Sequence, residues 1–374
     1  MSGIYIHIPF CKKACHYCNF HFSTNQNSKS AFIKAVCNEL VLRKSEYTSE
    51  EIQSIYFGGG TPTVLEVSEL NTILQTVYEH YKVSDTSEIT LEANPDDLDL
   101  EKIKRLANTK INRLSIGIQS FHESDLTSMN RAHNAMEAKK CLEIATTYFD
   151  NITIDLMFGM PTMSIEQWRQ NLQTAFGFGV KHLSCYALTV EPKTALEHFI
   201  NKGSHPPMDD ELSASHFEVL LEEASAQGLT HYETCSFGHP DYFSRHNTSY
   251  WLGKTYMGVG PSAHSFDGKN RSWNLSNNTK YIKSLEANVR PFESEELSLE
   301  NRFNEYIMTG LRTIWGISLD KIEADFGVDI KSQLLENSKK FRSSKTLILE
   351  DNHLKITRIG KFLSDGIASD LFLV

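Results

Sequence analysis

Three cysteines, Cys11, Cys15 and Cys18, lie on one short stretch near the start of the chain, in a C-x3-C-x2-C spacing. Thiolates grouped in this way are typical ligands of a metal ion or an iron–sulfur cluster. A closed zinc site needs four ligands and would have to recruit a neighbouring histidine: His7, His16 or His21. Three cysteines alone suit a cubane cluster with one iron open to an external ligand, since simple electron carriers use four. The spacing favours the cluster but leaves zinc and unmetallated thiols open.

The residues around the cysteines add to this pattern. A β-branched and aromatic run over residues 4–8 predicts a strand that leads into the loop, and Pro9 ends it. An aromatic residue, Tyr17, stands between the second and third cysteines. Together these features resemble the radical S-adenosylmethionine (SAM) superfamily, and within it the branch of coproporphyrinogen dehydrogenases (HemN) and HemW. The resemblance implies a [4Fe–4S] cluster on the three cysteines, with SAM chelating the open iron through its amino and carboxylate groups.

The composition is that of an ordinary globular protein with an acidic balance. Hydrophobic residues make up 40% of the 374 residues, charged residues make up 22%, and the formal net charge is −10. This charge argues against a broad nucleic-acid footprint, so nucleic acid is not an expected partner. One large domain plus a smaller one is expected, because single cores rarely grow beyond about 250–300 residues.

Four further cysteines, Cys37, Cys141, Cys185 and Cys235, are scattered among apolar neighbours. An odd total of seven in a long chain is not a disulfide framework, and it suits a reducing cytosol in which a cluster survives. We expect these four thiols to be small core residues. The sequence shows neither a basic-then-apolar signal pattern nor an apolar run approaching about 18 residues, so the expected location is cytoplasmic.

Strand-like and helix-like segments alternate over the first 190 residues. The predicted strands cover residues 4–8, 52–57, 88–93, 114–119, 152–158 and 182–188. The predicted helices cover residues 30–44, 67–81, 98–107, 135–148 and 165–176. These six β–α repeats predict an α/β fold with a parallel sheet and right-handed crossovers, arranged as an incomplete (β/α)6 barrel. The family resemblance implies the same fold.

Past residue 190 the repeats stop. A helix is predicted over residues 209–227 and a strand over residues 230–235. From about residue 300, two helical segments, a hairpin over residues 347–356 and a last helix over residues 359–371 resemble a small winged-helix-like α+β module. We therefore expect a barrel with the cluster and SAM site over residues 1–195, a barrel extension over residues 196–299 and a C-terminal domain over residues 300–374.

Polar and glycine residues follow the predicted strand ends, where the active sites of β/α barrels lie. Gly59, Gly60 and Thr61 come directly after the second strand. Consecutive glycines let a backbone approach a ligand closely and expose N–H groups, which would suit the polar ends of SAM. Asp155 stands inside the apolar run of the fifth strand, and a lone buried carboxylate is costly. We therefore expect Asp155 to be functional or paired.

Further SAM contacts are implied by the family resemblance. The family pattern carries a ribose-binding carboxylate at Glu92, and a carboxylate can accept hydrogen bonds from both ribose hydroxyls. It carries a fixed cation for the SAM carboxylate at Arg131, which by itself would more often be a surface charge. The other positions that the resemblance assigns to the SAM pocket are Tyr5, Tyr17, Gln119, Asp155, Ala187 and His264, the last of them near the adenine.

A second informative stretch, His246 to Trp251, matches HNxxYW, the pattern that distinguishes HemW from HemN within this branch. Neutral imidazole is a natural axial ligand for heme iron, and Tyr250 and Trp251 offer ring faces and hydrogen bonds to a porphyrin. The resemblance thus implies heme contacts at His246, Asn247, Tyr250 and Trp251. From the residues alone, a capping His–Asn pair before an aromatic core anchor is the simpler interpretation.

Two departures separate the branches of the family. HemN-type oxidases carry a further cysteine just after the third, where this chain has Asn19 and Phe20, and a long segment before the first strand. Both differences argue against oxidative decarboxylation. The resemblance then implies a heme chaperone that hands heme to an acceptor protein, such as a membrane-associated respiratory enzyme. The alternatives are an oxygen-independent coproporphyrinogen III oxidase of porphyrin biosynthesis and a non-catalytic zinc module.

Overall fold

The computed structural model describes residues 2–46 and 51–373, and a parallel sheet organises the first half. Its strands β1 to β6 are Ser2–Ile8, Ile52–Gly59, Val83–Ala93, Arg113–Gln119, Ile152–Phe158 and His182–Ala187. The helices α1 to α6 are Lys29–Leu42, Val67–His80, Leu100–Ala107, Glu123–Ser128, Ala135–Tyr148 and Ile165–Gly177. Each strand pairs in parallel with the next, which confirms the predicted incomplete barrel.

The strands form where the sequence has apolar runs, because a parallel sheet is covered on both faces. All positions of β4 are buried, and five consecutive residues of β2 are buried. Two of the outer helices begin at capping boxes: Asn134 with Glu137 starts α5, and Ser164 with Gln167 starts α6. These local signals explain why the predicted bounds of α5 and β5 agree with the structure.

The residues after the repeats extend the same sheet. The strands β7 to β12 are Thr230–Glu233, Ser236–Gly238, Tyr256–Val259, His264–Phe266, Asn270–Asn274 and Phe292–Glu296. The helices α7 to α10 are Ala195–Asn201, Asp210–Ala226, Arg245–Trp251 and Asn278–Glu286. The strand order is β12-β11-β10-β9-β1-β2-β3-β4-β5-β6-β8-β7, with β9 parallel to β1 and β8 antiparallel to β6. Extra strands thus flank β1 and β6 on their outer sides, so the barrel stays open.

The C-terminal domain has its own core. Its helices α11 to α15 are Leu299–Leu311, Leu319–Phe326, Val328–Asn337, Lys339–Ser343 and Ser364–Ser369. Its strands β13 to β15, Ile317–Ser318, Leu347–Glu350 and His353–Ile356, form an antiparallel sheet. The predicted hairpin is confirmed.

The prediction of a last helix over residues 359–371 is wrong in its first half. Residues 358–363 form a 3-10 helix, and α15 begins only at Ser364. Gly360 packs so closely on Thr346 that a Cβ atom would lie 2.4 Å from the carbonyl oxygen of Thr346. This tight contact with the hairpin explains why the segment departs from a regular α-helix.

The scattered cysteines are all free thiols. Cys141 and Cys185 are buried, as predicted, whereas Cys37 and Cys235 are only partly buried. Within the described residues, none of the helices combines the length and apolar character that a transmembrane span requires.

Candidate cofactor site at the mouth of the barrel

A cavity of about 440 Å³ lies at the carboxyl ends of β2 to β6, and Cys11, Cys15 and Cys18 line it. Because neighbouring parallel strands end at the same edge of the sheet, residues distant in sequence meet there. The cavity wall includes every predicted SAM contact except Tyr5 and His264: Tyr17, Gly59, Gly60, Thr61, Glu92, Gln119, Arg131, Asp155 and Ala187.

The cysteine loop is closed at its base by backbone hydrogen bonds. The N–H of Cys11 donates to the carbonyl of Ser23 over 3.1 Å, and the N–H of Ser23 donates to the carbonyl of Pro9 over 2.9 Å. In the middle of the loop, the N–H of His16 donates to the carbonyl of Met129 over 3.1 Å. The backbone that carries the thiols is therefore positioned by the protein itself.

All three thiols line the cavity wall. Among residues 2–46 and 51–373, no three His, Cys, Asp or Glu side chains come together as ligands of a single metal ion. A structural zinc site would need four such ligands at about 2.0–2.3 Å from the metal. A cubane cluster instead takes one cysteine at each of several irons, and its assignment to these three thiols stays a prediction from the spacing and the family resemblance.

Two side chains approach the thiols, one from the loop after β2 and one from the loop after α4. The hydroxyl of Thr61 donates to the sulfur of Cys11 over 3.5 Å, and Nη1 of Arg131 donates to the sulfur of Cys15 over 3.4 Å. Burial raises the pKa of Cys11 to about 11 and also raises the pKa of Cys18. Binding of a metal through these two thiols must therefore release protons, and the hydrogen bond from Thr61 favours the thiolate form of Cys11.

The glycine segment after β2 packs directly against the cysteine loop. The N–H of Gly60 donates to the carbonyl of Ile8 over 2.8 Å, and the N–H of Thr61 donates to the carbonyl of Phe10 over 2.7 Å. Contrary to expectation, these two N–H groups pair within the protein because the segment continues the β1–β2 ladder. A Cβ atom on Gly60 would lie 2.6 Å from the carbonyl oxygen of Phe10. Glycine is thus required for close approach of the two backbones.

Two carboxylates enter the cavity from neighbouring strands. Glu92 accepts hydrogen bonds from the hydroxyl of Tyr56 over 2.8 Å and from the N–H of Gly59 over 3.2 Å, while Ser115 donates to Asp155 over 3.3 Å. Burial raises the pKa of Glu92 to about 7 and that of Asp155 to about 6. Neither makes an ion pair with the described residues, so the cavity favours a ligand with positive charge.

Arg131 connects the cysteine loop with the ends of two strands. Its Nη1 also lies 3.3 Å from the hydroxyl of Tyr17, while Nη2 donates to Oδ1 of Asn94 over 2.7 Å and to the carbonyl of Gly117 over 2.8 Å. Among the described residues its buried Nε has no hydrogen-bond partner. This guanidinium both positions the loop and keeps one donor for an acceptor that the chain itself does not supply.

Gln119 reaches the cavity through an irregular backbone at the end of β4. Its φ is +66°, which is rare for a residue other than glycine, and the register against β5 shifts between Gly117 and Gln119. Such strain is typical of functional positions. Ala187, the last residue of β6, lies in another part of the same wall.

Tyr5 and His264 do not line this cavity. The hydroxyl of Tyr5 lies 3.2 Å from Nδ1 of His7, and its ring stacks on Tyr56 with a centroid distance of 6.1 Å. His264 is exposed on β10, where its ring stacks on Trp273 at 5.8 Å. Their assignment to SAM stays a prediction from the family resemblance.

The HNxxYW motif forms α9, near the amino ends of β1 and β2. His246 is only 1% exposed. Its Nδ1 lies 2.8 Å from the hydroxyl of Ser54, and its Nε2 lies 2.7 Å from the hydroxyl of Tyr250. Burial lowers the pKa of His246 to about 3, so the ring is neutral. Both ring nitrogens are engaged, and the structure does not present His246 as an open axial ligand.

The other three residues of the motif differ in their surroundings. Tyr250 and Trp251 line a second cavity of about 300 Å³ between α9 and the C-terminal domain. Asn247 is partly buried, and its N–H donates to the N-cap hydroxyl of Ser244 over 3.3 Å. Heme contacts of all four residues stay a prediction, and the second cavity is where two of them are accessible.

Three functional side chains were missed by the sequence analysis. Tyr56 and Ser115 hold the two cavity carboxylates, and Asn94 holds Arg131. The sequence could have indicated them, because side chains two positions apart in a strand lie on the same face of the sheet. Asn94 lies two residues after Glu92, so both point into the barrel mouth.

Comparison with known proteins identifies the family. The radical SAM superfamily model matches residues 5–175, and the HemN C-terminal domain model matches residues 297–363. The heme chaperone HemW of Bacillus subtilis is 31% identical over 373 residues, which cover 98% of each chain. The chain belongs to the HemN/HemW family of the radical SAM superfamily.

Other similarities agree with membership in the HemN/HemW family. The heme chaperone HemW of Escherichia coli is 33% identical over 267 residues, which cover 70% of this chain and 69% of the relative. The structure of coproporphyrinogen III oxidase (HemN) from Escherichia coli has a TM-score of 0.86 and covers 99% of this chain and 90% of its own. At 19% identity, that likeness shows the shared fold. Membership in the radical SAM superfamily implies SAM and a [4Fe–4S] cluster as cofactors.

Proposed function

We propose that this HemN/HemW family member is a heme chaperone, which binds heme and passes it to an acceptor protein. The observation that carries the proposal is the similarity over 98% of both chains to a relative named as a heme chaperone. The residues after the third cysteine support it. Asn19 donates to Glu191 over 3.0 Å, and Phe20 is 67% exposed, where the family pattern of the oxidases has a further cysteine.

In this proposal the barrel cavity holds a [4Fe–4S] cluster on Cys11, Cys15 and Cys18, with SAM on its open iron. The chain's own groups fit such a ligand. The unpartnered Nε of Arg131 suits the carboxylate of SAM, Glu92 can accept hydrogen bonds from its ribose hydroxyls, and the buried carboxylate of Asp155 suits a positive charge. When bound, the cluster would supply an electron to the sulfonium of SAM, and the surrounding residues would bind SAM and exclude water.

The second candidate is an oxygen-independent coproporphyrinogen III oxidase, favoured by the shared fold over 99% of this chain. Heme titration and a turnover assay on the anaerobically reconstituted protein separate the two. The chaperone should bind heme in a fixed stoichiometry, transfer it to an apo heme protein and leave coproporphyrinogen III unchanged. Decarboxylation of coproporphyrinogen III together with no heme binding would replace the chaperone with the oxidase.

The cluster is tested by metal analysis of the same preparation. Iron and sulfide should be present in the native chain and absent after joint replacement of Cys11, Cys15 and Cys18 by serine. Cys37→Ser is the matched control because Cys37 lies on α1, away from the cavity wall. Zinc without iron or sulfide in the anaerobically purified protein would contradict the cluster.

A further inference from the structure

Aromatic rings form the walls of the second cavity, which lies between α9, strands β9 to β11, and helices α11 and α12. They are Tyr250, Trp251, Tyr256, Phe266, Tyr306 and Phe326. Tyr250 meets Tyr256 edge to face with a centroid distance of 4.5 Å, and Tyr256 lies 6.4 Å from Phe266. A cavity of about 300 Å³ with rings on several sides suits a flat aromatic ligand.

The same lining carries more positive than negative charge, although the whole chain has a net charge of −10. The four cations are Lys254, Arg271, Arg302 and Lys321, and the two acids are Glu305 and Asp325. Both acids are already neutralised. Arg271 binds both oxygens of Glu305 over 2.7 and 2.8 Å, and Lys321 pairs with Asp325. The excess positive charge of the lining therefore comes from Arg302 and Lys254.

Arg302 is the better placed of the two for binding an anion. Among the described residues, its buried Nε has no hydrogen-bond partner. Glu296, which Arg302 influences only weakly, is already paired with Lys269. A buried guanidinium donor without an acceptor favours a carboxylate from a ligand, because charge-assisted hydrogen bonds are the strong ones.

Access to the cavity is from solvent. Leu252, Gly253 and Lys254 lie on its rim and are exposed. His246, in contrast, lies behind Tyr250, whose hydroxyl occupies its Nε2. A ligand in this cavity is therefore held by ring faces and Arg302 rather than by a bond from His246 to a metal.

We propose that the second cavity binds a planar aromatic carboxylic acid of the porphyrin class, with Arg302 as the anchor of a carboxylate. The inference rests on the proposed function, since heme is such a molecule, and it adds a location and a recognition mode. Because the contacts go to the ring and the carboxylate, metal-free protoporphyrin IX binds about as tightly as heme. The dimethyl ester, which lacks the charges, binds more weakly.

The test is a titration of the native full-length protein and its variants with heme, protoporphyrin IX and protoporphyrin IX dimethyl ester. Binding is followed by porphyrin absorbance and by quenching of tryptophan fluorescence, to which Trp251 in the wall contributes. Arg302→Gln should weaken binding of both free acids roughly tenfold and leave the ester unchanged. Lys254→Gln should have a smaller effect in the same direction. Arg105→Gln, an exposed arginine on α3, should match the native protein.

Two results would overturn the site while leaving the heme chaperone in place. One is that Arg302→Gln, Lys254→Gln and Arg105→Gln all bind heme as tightly as the native protein does. The other is heme binding without any binding of protoporphyrin IX, which would mean that the iron carries the affinity. Absence of heme binding by the native protein would overturn both proposals. Thermal denaturation of each variant shows that the fold is retained, and Lys254 is exposed, so its replacement leaves the core intact.

Discussion

The hydroxyl of Tyr56 donates a hydrogen bond to Glu92 over 2.8 Å at the mouth of the barrel. The ring of Tyr56 also stacks on His246 with a centroid distance of 5.1 Å, and His246 lies 2.7 Å from the hydroxyl of Tyr250 in the second cavity. Contacts between packed rings thus run through the barrel interior from one cavity to the other. The position of Glu92 therefore depends on Tyr56, which does not line the first cavity.

Tyr56→Phe tests this support of Glu92. Loss of one hydrogen bond to a buried carboxylate should weaken SAM binding roughly fivefold, because the remaining bond from Gly59 holds only one oxygen. Isothermal titration of the anaerobically reconstituted protein with SAM measures the effect. Tyr78→Phe, a partly exposed tyrosine on α2, should leave the affinity unchanged. Equal affinities in the two variants would mean that Tyr56 has no such role.

The affinity for SAM should depend on pH through Glu92. Its pKa is raised to about 7, so the group is mostly protonated at lower pH and ionised at higher pH. If binding needs the ionised form, affinity should be about tenfold lower at about pH 6 than at about pH 8. S-Adenosylhomocysteine carries the same ribose and should show the same change, whereas methionine, which lacks the ribose, is the control ligand and should show a smaller one. A pH-independent SAM affinity would contradict the role of Glu92, and Glu92→Gln should bind weakly at every pH.

Arg131→Lys should loosen the cysteine loop. Lysine cannot reproduce the planar contacts with Tyr17, Asn94 and Gly117, so we expect a loss of about 2–3 kcal/mol in the free energy of unfolding. Iron content after reconstitution and gel filtration should fall as well. Urea denaturation and iron analysis give the two readouts, with Arg105→Lys as the control. Normal iron content in Arg131→Lys would show that the loop holds its shape without the guanidinium.

His246→Ala should destabilise the barrel whether or not heme is present. The change removes a fully buried ring and leaves the hydroxyls of Ser54 and Tyr250 without their partner, which should cost about 2–4 kcal/mol. His198→Ala on the exposed side of α7 should change stability by less than about 0.5 kcal/mol. Urea denaturation of the heme-free protein measures both. A heme-free His246→Ala as stable as the native chain, but unable to bind heme, would point to direct ligation instead.

Gly60→Ala should separate the glycine segment from the cysteine loop. The new methyl group would lie 2.6 Å from the carbonyl oxygen of Phe10 and 2.8 Å from that of Ile8, so one backbone must move. We expect lower thermal stability and lower iron content after reconstitution. Gly177→Ala at the end of α6 meets no atom within 4 Å and should be neutral or slightly stabilising. Equal thermal stability and iron content in the two variants would mean that the backbones at Gly60 can move apart without loss of stability.

The repeats of the barrel could be predicted because their elements carry local signals. The strand Ile152–Phe158 is an apolar run, and α5 has helical periodicity and a capping box, so both were predicted with the observed bounds. Short elements gave no such signal. The seven residues of α9 are too few to show periodicity, and the strands β10 to β12 are short or exposed.

In the candidate site, too, the residues with local sequence signals could be predicted and the others could not. Cys11 and Glu92 could be placed because each lies at or just past the end of a predicted strand, and such strand ends meet at one edge of the sheet. The position of Gln119 depends on a left-handed φ of +66° and a register shift, which periodicity does not reveal. The enclosure of His246 depends on Ser54, which is 192 residues earlier in the chain. No local pattern contains that contact.

The pairing of β1 between β2 and β9 has a consequence for biogenesis. The strand that leads into the cysteine loop gains its second neighbour only when Tyr256–Val259 is available. At about 5–20 residues per second, a ribosome needs roughly 12–50 s to add the intervening segment. Throughout that interval a nascent chain exposes three thiols next to a half-paired strand. We therefore expect the sheet that supports the cysteine loop to be completed only after most of the polypeptide has emerged.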